Sequence, residues 1–558
     1  MSSSADTRVV VAIDFGTTYS GFAYAHKSNP GEIIVQDYWK DFSGYFKTPT
    51  VIKYDDSYTM VESWGLPALA KKPISRRQPL QPSSKPIELF KLHLLGRSLR
   101  DKDKPTLPDG LDYKRVIKDY LEKLRFDVEK NVKNHWSTLD FYKQVAIVMT
   151  VPAEFNDNAI SIMRECAFEA GLIREKDSEN LTFTTEPEAA AIHYISSLER
   201  EYHLNPGDSF MVVDCGGGTV DLTVRELLDD NQLVEITERK GDCCGSSYID
   251  KAFIEFLGNK MGKSTIDTLK KDYYRYLQYM VQEFCKNVKF RFTGKEEDFD
   301  YSGIDLDDYG TMKLCVEGEE KDQLERDEWL INIDFNDVKG MFDPVIERII
   351  VLVKDQLLQS RQREKKVSLM LLVGGFSESE YLQTRIRQEF SSVVPNISVP
   401  LRPIIAVMKG AVKFGLSEKT IKNRVLKWSY GTDILRRWRS IDPLPQRLPN
   451  GYIKVFEKLA ERGKSIRLNE EVTKRFKPYS SIQDKIYMDM YVTPSFDVEY
   501  FDDPEMNLLR KWEINLDSYE DDVTFLLTLK FGHVEILATA VNEKTGVTKE
   551  VTFKYDLD

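Results

Sequence analysis

The chain has 558 residues, of which 41% are hydrophobic and 30% charged, and its formal net charge is −12. This composition is typical of a soluble globular protein, and the length is enough for about three to four domains. The negative charge argues against nucleic acid or an anionic membrane as a main partner, because both require a basic surface.

Targeting and metal-binding signals are weak. The short polar segment from Met1 to Arg8 lacks the features of a signal peptide, and no apolar run is long enough to predict a transmembrane helix. The six cysteines form no disulfide framework, and with the six histidines they show no zinc-site spacing. We therefore expect reduced thiols and a cytoplasmic location, with the nucleus as the alternative.

The first predicted elements, in chain order, alternate between strands and helices. Residues 9–25 form an apolar hairpin whose turn contains Asp14, Gly16, Thr17 and Thr18. Further elements are strands within 47–62, an irregular basic stretch at 65–110, a helix at 112–135, a strand at 144–151, a helix at 156–171, a strand at 181–185 and a helix from Pro187.

The second half repeats this order. Strands are predicted over 209–238, and they contain a second aspartate and glycine turn from Asp214 to Asp221. Further elements are helices at about 247–292, an acidic loop at 296–308, a helix at 342–361, a strand at 368–373, a loop opened by Gly374 and Gly375, and a helix at 377–390. The alternation of strands and helices predicts an α/β fold.

The pattern changes after about Gly415. Predicted strands cover 485–492, 511–516, 523–530, 534–541 and 547–555, with a hairpin turn at 542–546. This alternation predicts a β-rich C-terminal module over 416–558.

One short pattern occurs twice, about two hundred residues apart: an apolar run, an aspartate, then glycine and threonine. A single copy is usually only an Asp-Gly hairpin, but the repetition argues for a function. Glycine lets backbone N–H groups crowd a phosphate, and an aspartate at the end of a strand can hold Mg²⁺ through water. Two such hairpins facing each other would clamp one nucleotide between two similar halves.

Five segments resemble, in order, the ATPase domain of the seventy-kilodalton heat-shock protein family, within the actin-like (ribonuclease H-like) superfamily. They are residues 13–20, 150–157, 185–192, 213–221 and 372–377. The resemblance implies a two-lobed ATPase domain followed by a small all-β module. Lobe I would be 1–204 and lobe II 205–415, with a helical insertion at about 247–292 and a return to lobe I at about 377–415. Module 416–558 resembles a peptide-binding β-sandwich without its lid, as in the divergent lidless branch similar to heat-shock seventy-kilodalton protein twelve and its fungal relatives.

The resemblance also implies roles for individual residues. Asp14 and Asp214 would hold hydrated Mg²⁺, Glu186 and Asp221 would orient the attacking water, and Lys71 or Lys91 would be the catalytic lysine. The implied nucleotide-binding residues are Gly16, Thr17, Thr18, Tyr19, Gly216, Gly217, Gly218, Thr219, Glu283, Lys286, Gly374, Gly375, Phe376 and Ser377. An arginine that would stack on adenine is missing, because Asn287 follows Lys286.

The implied function is that of a chaperone-like, weak ATPase that uses ATP and Mg²⁺. Its nucleotide state would control the binding of apolar or unfolded peptide segments, specific protein clients or co-chaperones, and neither nucleic acid nor membrane is expected as a partner. The alternative is a nucleotide-sensing adaptor with little or no hydrolysis, which the unassigned lysine favours. A sugar or metabolite kinase shares the fold, but the β-rich module and the segment Thr185-Glu186-Pro187 argue against it.

Overall fold

The computed structural model describes residues 6–40, 42–72, 85–98, 104–229, 232–301, 303–309, 312–417, 421–467, 469–477, 485–487, 489–500, 505–511, 513–515, 524–532, 535–544 and 546–552. The chain is a mixed α/β protein with several sheets, as the alternating pattern predicts. It divides into two compact units. The first comprises Met1–Glu154, Arg164–Thr223 and Lys240–Ser417, and the second comprises Phe155–Met163, Val224–Arg239 and Glu418–Asp558.

The helices, in chain order, are α1 (Tyr113–His135), α2 (Phe141–Gln144), α3 (Asp157–Glu169), α4 (Glu186–Tyr202), α5 (Ser247–Met261), α6 (Lys263–Asp272), α7 (Tyr274–Asn287), α8 (Gly318–Arg326), α9 (Phe335–Gln362), α10 (Glu380–Phe390) and α11 (Ala406–Leu416). Among the described residues, no helix combines the length and the apolar composition needed to cross a bilayer.

The strands up to residue 400 are β1 (Val9–Phe15), β2 (Tyr19–His26), β3 (Ile34–Val35), β4 (Tyr38–Trp39), β5 (Phe42–Ser43), β6 (Thr48–Pro49), β7 (Val51–Tyr54), β8 (Val61–Trp64), β9 (Ile87–Glu88), β10 (Val145–Val151), β11 (Leu181–Thr185), β12 (Ser209–Cys215), β13 (Val220–Leu228), β14 (Gln232–Glu235), β15 (Lys240–Asp242), β16 (Gly303–Asp305), β17 (Leu330–Asn332), β18 (Val367–Val373) and β19 (Asn396–Ser398). The later strands are β20 (Ile421–Val425), β21 (Ser429–Arg437), β22 (Tyr452–Ala460), β23 (Ser465–Arg467), β24 (Glu471–Phe476), β25 (Lys485–Tyr487), β26 (Met490–Thr493), β27 (Asn507–Arg510), β28 (Glu513–Asn515), β29 (Phe525–Phe531), β30 (Ile536–Asn542) and β31 (Thr548–Thr552).

Strand β1 is central to the first sheet of the first unit. The strand order is β11-β10-β1-β2-β3, and β6 also pairs with β2. Strand β1 runs parallel to β10, with Val9 opposite Val145, and antiparallel to β2, with Val9 opposite His26. Every residue of β1 is buried, as expected for a strand covered on both faces. The strand therefore brings Asp14 to its C-terminal end, immediately before the first glycine turn.

Strand β12 has the same position in the second hairpin. It runs parallel to β18, with Met211 opposite Met370, and β18 runs parallel to β19. The beginning of β13 pairs with β15, with Val220 opposite Asp242. All seven residues of β12 are buried. This strand brings Asp214 to the edge at which the second glycine turn begins.

Helix α9 begins seven residues before the predicted start at Phe342, because its N-terminus is capped at Asp334. The Asp334 side chain accepts a hydrogen bond from the backbone N–H of Asp337 at 2.8 Å, and the Asp337 side chain accepts one from the N–H of Asp334 at 3.1 Å. This reciprocal arrangement satisfies two donors that a helix start leaves without partners. Pro344 lies inside the helix and does not end it.

The second unit is rich in β-strands. Its two four-stranded sheets have the orders β22-β21-β26-β27 and β24-β29-β30-β31, and the end of β13 pairs with β14, which pairs with β20. Buried side chains including Tyr430, Met490, Leu527 and Phe531 form one apolar core. Parts of the strands predicted at 511–516, 523–530, 534–541 and 547–555 lie outside the described residues. The two-lobed layout, the predicted domain limits and the separate all-β module stay predictions.

Candidate functional site

A cavity of about 500 Å³ lies within the first unit. Its size is typical of a small-molecule site, since such sites range from about 300 to 1,000 Å³. The lining includes these residues singled out from the sequence: Asp14, Gly16, Thr17, Thr18, Tyr19, Glu186, Asp214, Gly216, Gly217, Gly218, Thr219, Gly374, Gly375 and Phe376. The structure thus brings together, around one cavity, three glycine-containing segments that are far apart in the sequence.

The two glycine turns touch each other. A Cβ atom added to Gly217 would lie 1.9 Å from Oγ1 of Thr18, and one added to Gly218 would lie 2.5 Å from Cγ2 of Thr17. A Cβ on Gly374 would lie 2.3 Å from Oδ1 of Asp214. Only glycine fits these positions without displacement of a neighbour, so the residue type is explained by the close approach of the segments.

Hydrogen bonds hold both turns by their carbonyl groups. The N–H of Ser247 donates to the carbonyl of Gly217 at 2.8 Å, and the N–H of Thr50 donates to the carbonyl of Thr18 at 2.8 Å. In the part of the chain that the structure describes, the N–H groups of Thr18 and Gly217 donate to no protein acceptor. Successive N–H groups in such turns form a concave surface that suits the oxygens of an anion.

Asp14 already has partners for both carboxylate oxygens. Nζ of Lys47 lies 2.6 Å from its Oδ2, and the Thr150 hydroxyl donates to its Oδ1 at 3.0 Å. Burial alone would lower the pKa of Lys47, but Asp14, and more weakly Asp214 and Glu186, raise that pKa above its usual value. Lys47 is therefore a charged ammonium group in the wall of the cavity.

The structure separates the two candidate catalytic lysines. Lys91 is 2% exposed, and its Nζ donates to Oε1 of Glu186 at 3.0 Å. The Lys71 side chain is exposed and does not line the cavity. Lys91 is thus the one of the two that contacts a residue predicted to act on the attacking water. Its catalytic role stays a prediction.

Two buried aspartates have raised pKa values. Burial, followed by the charges of Glu186 and Asp221, raises the pKa of Asp214 well above its usual range. Burial, followed by Glu186 and Glu154, raises the pKa of Asp221 to about 8. Asp221 accepts a hydrogen bond from the N–H of Ala153 at 2.7 Å and lies behind the cavity lining. A divalent cation in the cavity would favour the ionised form of both groups.

The predicted adenosine-binding residues lie elsewhere. Glu283 and Lys286 do not line the cavity: Glu283 accepts a hydrogen bond from Asn287 at 3.2 Å, and Lys286 is exposed. Cys285, Lys289 and Phe290 line it instead. Ser377 is also absent from the lining, because its hydroxyl is fully buried and donates to the carbonyl of Val373.

Among the aromatic residues that line the cavity, Phe290 has the most exposed side chain, with a relative exposure of 70%. It lies just beyond the end of α7, next to Lys289, whose Nζ is 2.6 Å from Oδ1 of Asp250. The arginine that the resemblance would place in this region is missing, and an exposed aromatic side chain lines the cavity here. Such a ring can stack on a nucleobase whatever its identity.

Several lining residues were not assigned from the sequence. They are Gly44, Tyr45, Phe46, Lys47, Ser246, Asp250, Cys285, Lys289, Phe290, Glu378, Ser379, Arg402, Ile404 and Val407. Lys47 is the first residue of the range 47–62 in which strands were predicted, and Phe46 directly precedes that range. Their closeness in sequence to the first hairpin was a signal for them. No local pattern marks the others.

The residues present suit a metal held through water. Among the described residues, no group of three or more histidine, cysteine or acidic side chains is placed to hold a metal ion. Asp14 and Asp214 line the cavity at the ends of β1 and β12, and Glu186, which follows β11, lines it as well. The two aspartates are the carboxylates proposed to hold the metal. This number of carboxylates is enough for Mg²⁺, which keeps most of its water and commonly uses one or two carboxylates together with phosphate oxygens.

The chain is similar to known proteins over nearly its whole length. It is 27% identical to mouse "Heat shock 70 kDa protein 12A", with 97% of this chain and 91% of that protein aligned. It is 25% identical to human "Heat shock 70 kDa protein 12B", with 96% and 90% aligned, and 23% identical to "Chaperone protein HscA" of Buchnera aphidicola, with 70% and 67% aligned. A family model described as "Domain of unknown function (DUF8340)" matches residues 203–399. These similarities confirm the resemblance found in the sequence.

Proposed function

We propose that this chain, a relative of the seventy-kilodalton heat-shock protein family, binds ATP or ADP with Mg²⁺ in the cavity of its first unit and hydrolyses ATP slowly. The observation that carries the proposal is the contact between two glycine turns, each of which follows a buried strand that ends in an aspartate. The N–H groups of Thr18 and Gly217 would bind phosphate oxygens, because phosphoryl transfer depends mainly on positioning and charge neutralisation.

Asp14 and Asp214 would hold Mg²⁺ through water. Each carboxylate oxygen can accept more than one hydrogen bond, so Asp14 can accept from a metal-bound water while it remains paired with Lys47. When bound, Mg²⁺ would neutralise charge on the phosphates. Phe290 and Lys289 would line the nucleoside part of the site.

Glu186 and Asp221 would orient the attacking water, with Lys91 holding Glu186 in place. Burial and the charges of Glu186 and Glu154 raise the pKa of Asp221 to about 8. Bound Mg²⁺ would favour the ionised form, which can accept a hydrogen bond from the attacking water. Slow turnover would suit a protein whose nucleotide state lasts long enough to be sensed.

The heat-shock resemblance supports a chaperone-like use of this nucleotide cycle. ATP and ADP would favour different conformations of the chain. The conformation would determine the affinity of the β-rich residues after Ser417 for apolar peptides, protein clients or co-chaperones. The alternative is a nucleotide-sensing adaptor without significant hydrolysis.

A single-turnover experiment separates the two functions. The full chain is mixed with a less than stoichiometric amount of ATP and Mg²⁺, and ADP is measured over time for wild type and Glu186→Gln. A slow wild-type rate that falls at least about 100-fold in the variant, with ATP still bound, supports the ATPase. Tight binding with equal, background-level rates in both proteins supports the adaptor. Absence of binding in the folded wild type refutes both.

A further inference from the structure

Lys47 stands out because it pairs with Asp14, one of the two aspartates proposed to hold Mg²⁺. Its side chain is 12% exposed, and its Nζ lies 2.6 Å from Oδ2 of Asp14. Both residues line the cavity together with Asp214 and the two glycine turns. The site therefore contains a positive charge of its own beside the carboxylate that was expected to interact with Mg²⁺.

We propose that Lys47 is a built-in phosphate-binding cation, which supplies part of the charge neutralisation that Mg²⁺ would otherwise provide. ATP would then bind to this chain almost as well without Mg²⁺ as with it, while hydrolysis would still need the metal. The inference rests on the proposed nucleotide-binding function and adds to it the identity of the group that holds the phosphates.

The geometry leaves Lys47 able to take this role. An ammonium group has three N–H donors, and the contact with Asp14 uses one of them. Lysine acts as a point charge toward phosphate, so it needs no fixed coordination geometry. The Lys47 side chain lines the cavity. Among the described residues, Asp14 is the acceptor recorded for its ammonium group, so two donors remain for a ligand in the cavity.

The charges around the cavity explain why a built-in cation is needed. Asp14, Asp214 and Glu186 all line it and would repel the phosphates of ATP. Lys91 does not line the cavity, and its charge is balanced by Glu186, with which it forms an ion pair. Lys47 is the lining lysine adjacent to the first glycine turn, whereas Lys289 pairs with Asp250 next to Phe290. Removal of Lys47 would leave Mg²⁺, Lys289 and Arg402 as the counter-charges around the cavity.

The chain offers a matched control in Lys289. Both lysines line the cavity, and both lie 2.6 Å from an aspartate oxygen. The experiment titrates ATP by calorimetry into full-length wild type, Lys47→Met, Lys47→Arg and Lys289→Met, each with excess Mg²⁺ and with EDTA. The quantity compared is the ratio of the two dissociation constants for each protein, which depends on binding alone and not on turnover.

We expect a ratio below about 5 for wild type, Lys47→Arg and Lys289→Met, and above about 30 for Lys47→Met, because a hydrogen bond to a charged group changes affinity by about 10- to 100-fold. A wild-type ratio above about 30, or an unchanged ratio in folded Lys47→Met, overturns the inference and leaves Mg²⁺-dependent ATP binding in place. If Lys47→Met does not fold, the wild-type and Lys47→Arg ratios decide. Absence of ATP binding in wild type under both conditions refutes the proposed function itself.

Discussion

The contact between the glycine turns can be tested by the substitution Gly217→Ala. The backbone of Gly217 does not lie in the left-handed region, so alanine brings no backbone strain. The added Cβ, however, would lie 1.9 Å from Oγ1 of Thr18. The turns would have to separate by about 1 Å, or Thr18 would have to leave its rotamer, and either change moves the N–H groups that we assign to phosphate binding.

The expected cost follows from the size of this overlap. Forcing an extra methyl group into a filled space costs about 1–3 kcal/mol. If the turns must return to their present separation to bind phosphate, this cost corresponds to a loss in ATP affinity of about 5- to 150-fold. Isothermal titration with ATP and Mg²⁺ measures the loss directly. Gly340→Ala is the control, because Gly340 lies inside α9 and nothing lies within 4 Å of its added Cβ. That variant should bind ATP like wild type and be slightly more stable.

The proposed contact is contradicted if Gly217→Ala binds ATP as tightly as wild type and unfolds at the same temperature. Such a result would mean that the two turns do not touch in solution, or that the N–H groups of Thr18 and Gly217 do not hold the phosphates. A variant that loses stability but keeps its ATP affinity would support the contact and refute its role in binding.

Three further variants test separate parts of the site. Lys91→Met should lower the single-turnover rate at least about 100-fold by leaving Glu186 without its cation, while Lys71→Met, whose side chain is exposed, should match wild type; the reverse outcome would reassign the lysine. Phe290→Ala should weaken ATP binding by about 5- to 100-fold through lost stacking. Binding of inorganic tripolyphosphate, which has no base, should stay unchanged. Equal losses for both ligands would contradict stacking. Asp221→Asn tests how stability depends on pH. The pKa of Asp221 is about 8 in the folded protein and about 4 in the unfolded chain. Between these pH values the folded protein holds a proton that the unfolded chain releases, so the stability of wild type should fall as the pH rises. Calorimetric unfolding without nucleotide should show a shallower fall for Asp221→Asn, and identical slopes would place this aspartate in a more solvated environment.

The parts of the site that could be predicted from the sequence are those fixed by short-range chemistry. An apolar strand that ends in Asp14 or Asp214 and enters a glycine turn can be recognised locally, because burial, the turn and the carboxylate are encoded within about ten residues. The structure brings these segments around one cavity.

The nucleoside end was harder to predict because its lining continues past the end of a helix. The resemblance implied Glu283 and Lys286, whereas Cys285 of α7 and Lys289 and Phe290, which follow the helix, line the cavity. Neighbouring residues of a helix point in different directions, and the local sequence does not show which of them faces a distant segment.

Lys47 was missed for a different reason. The resemblance implied Lys71 or Lys91 as the catalytic lysine and gave no role to Lys47. Whether a lysine is buried depends on the partner that balances its charge, and the partners come from distant segments: Asp14 for Lys47 and Glu186 for Lys91. Such pairing is a tertiary property, since local sequence gives no distance between side chains.

The most direct test of the central claim is calorimetric titration of ATP into the folded full-length chain in the presence of Mg²⁺. The account predicts saturable binding of one ATP per chain, competition by ADP, and a clear loss of affinity in Gly217→Ala but not in Gly340→Ala. If the folded wild type shows no saturable binding up to about 1 mM ATP, which corresponds to a binding free energy of only about −4 kcal/mol, the cavity is not a nucleotide site.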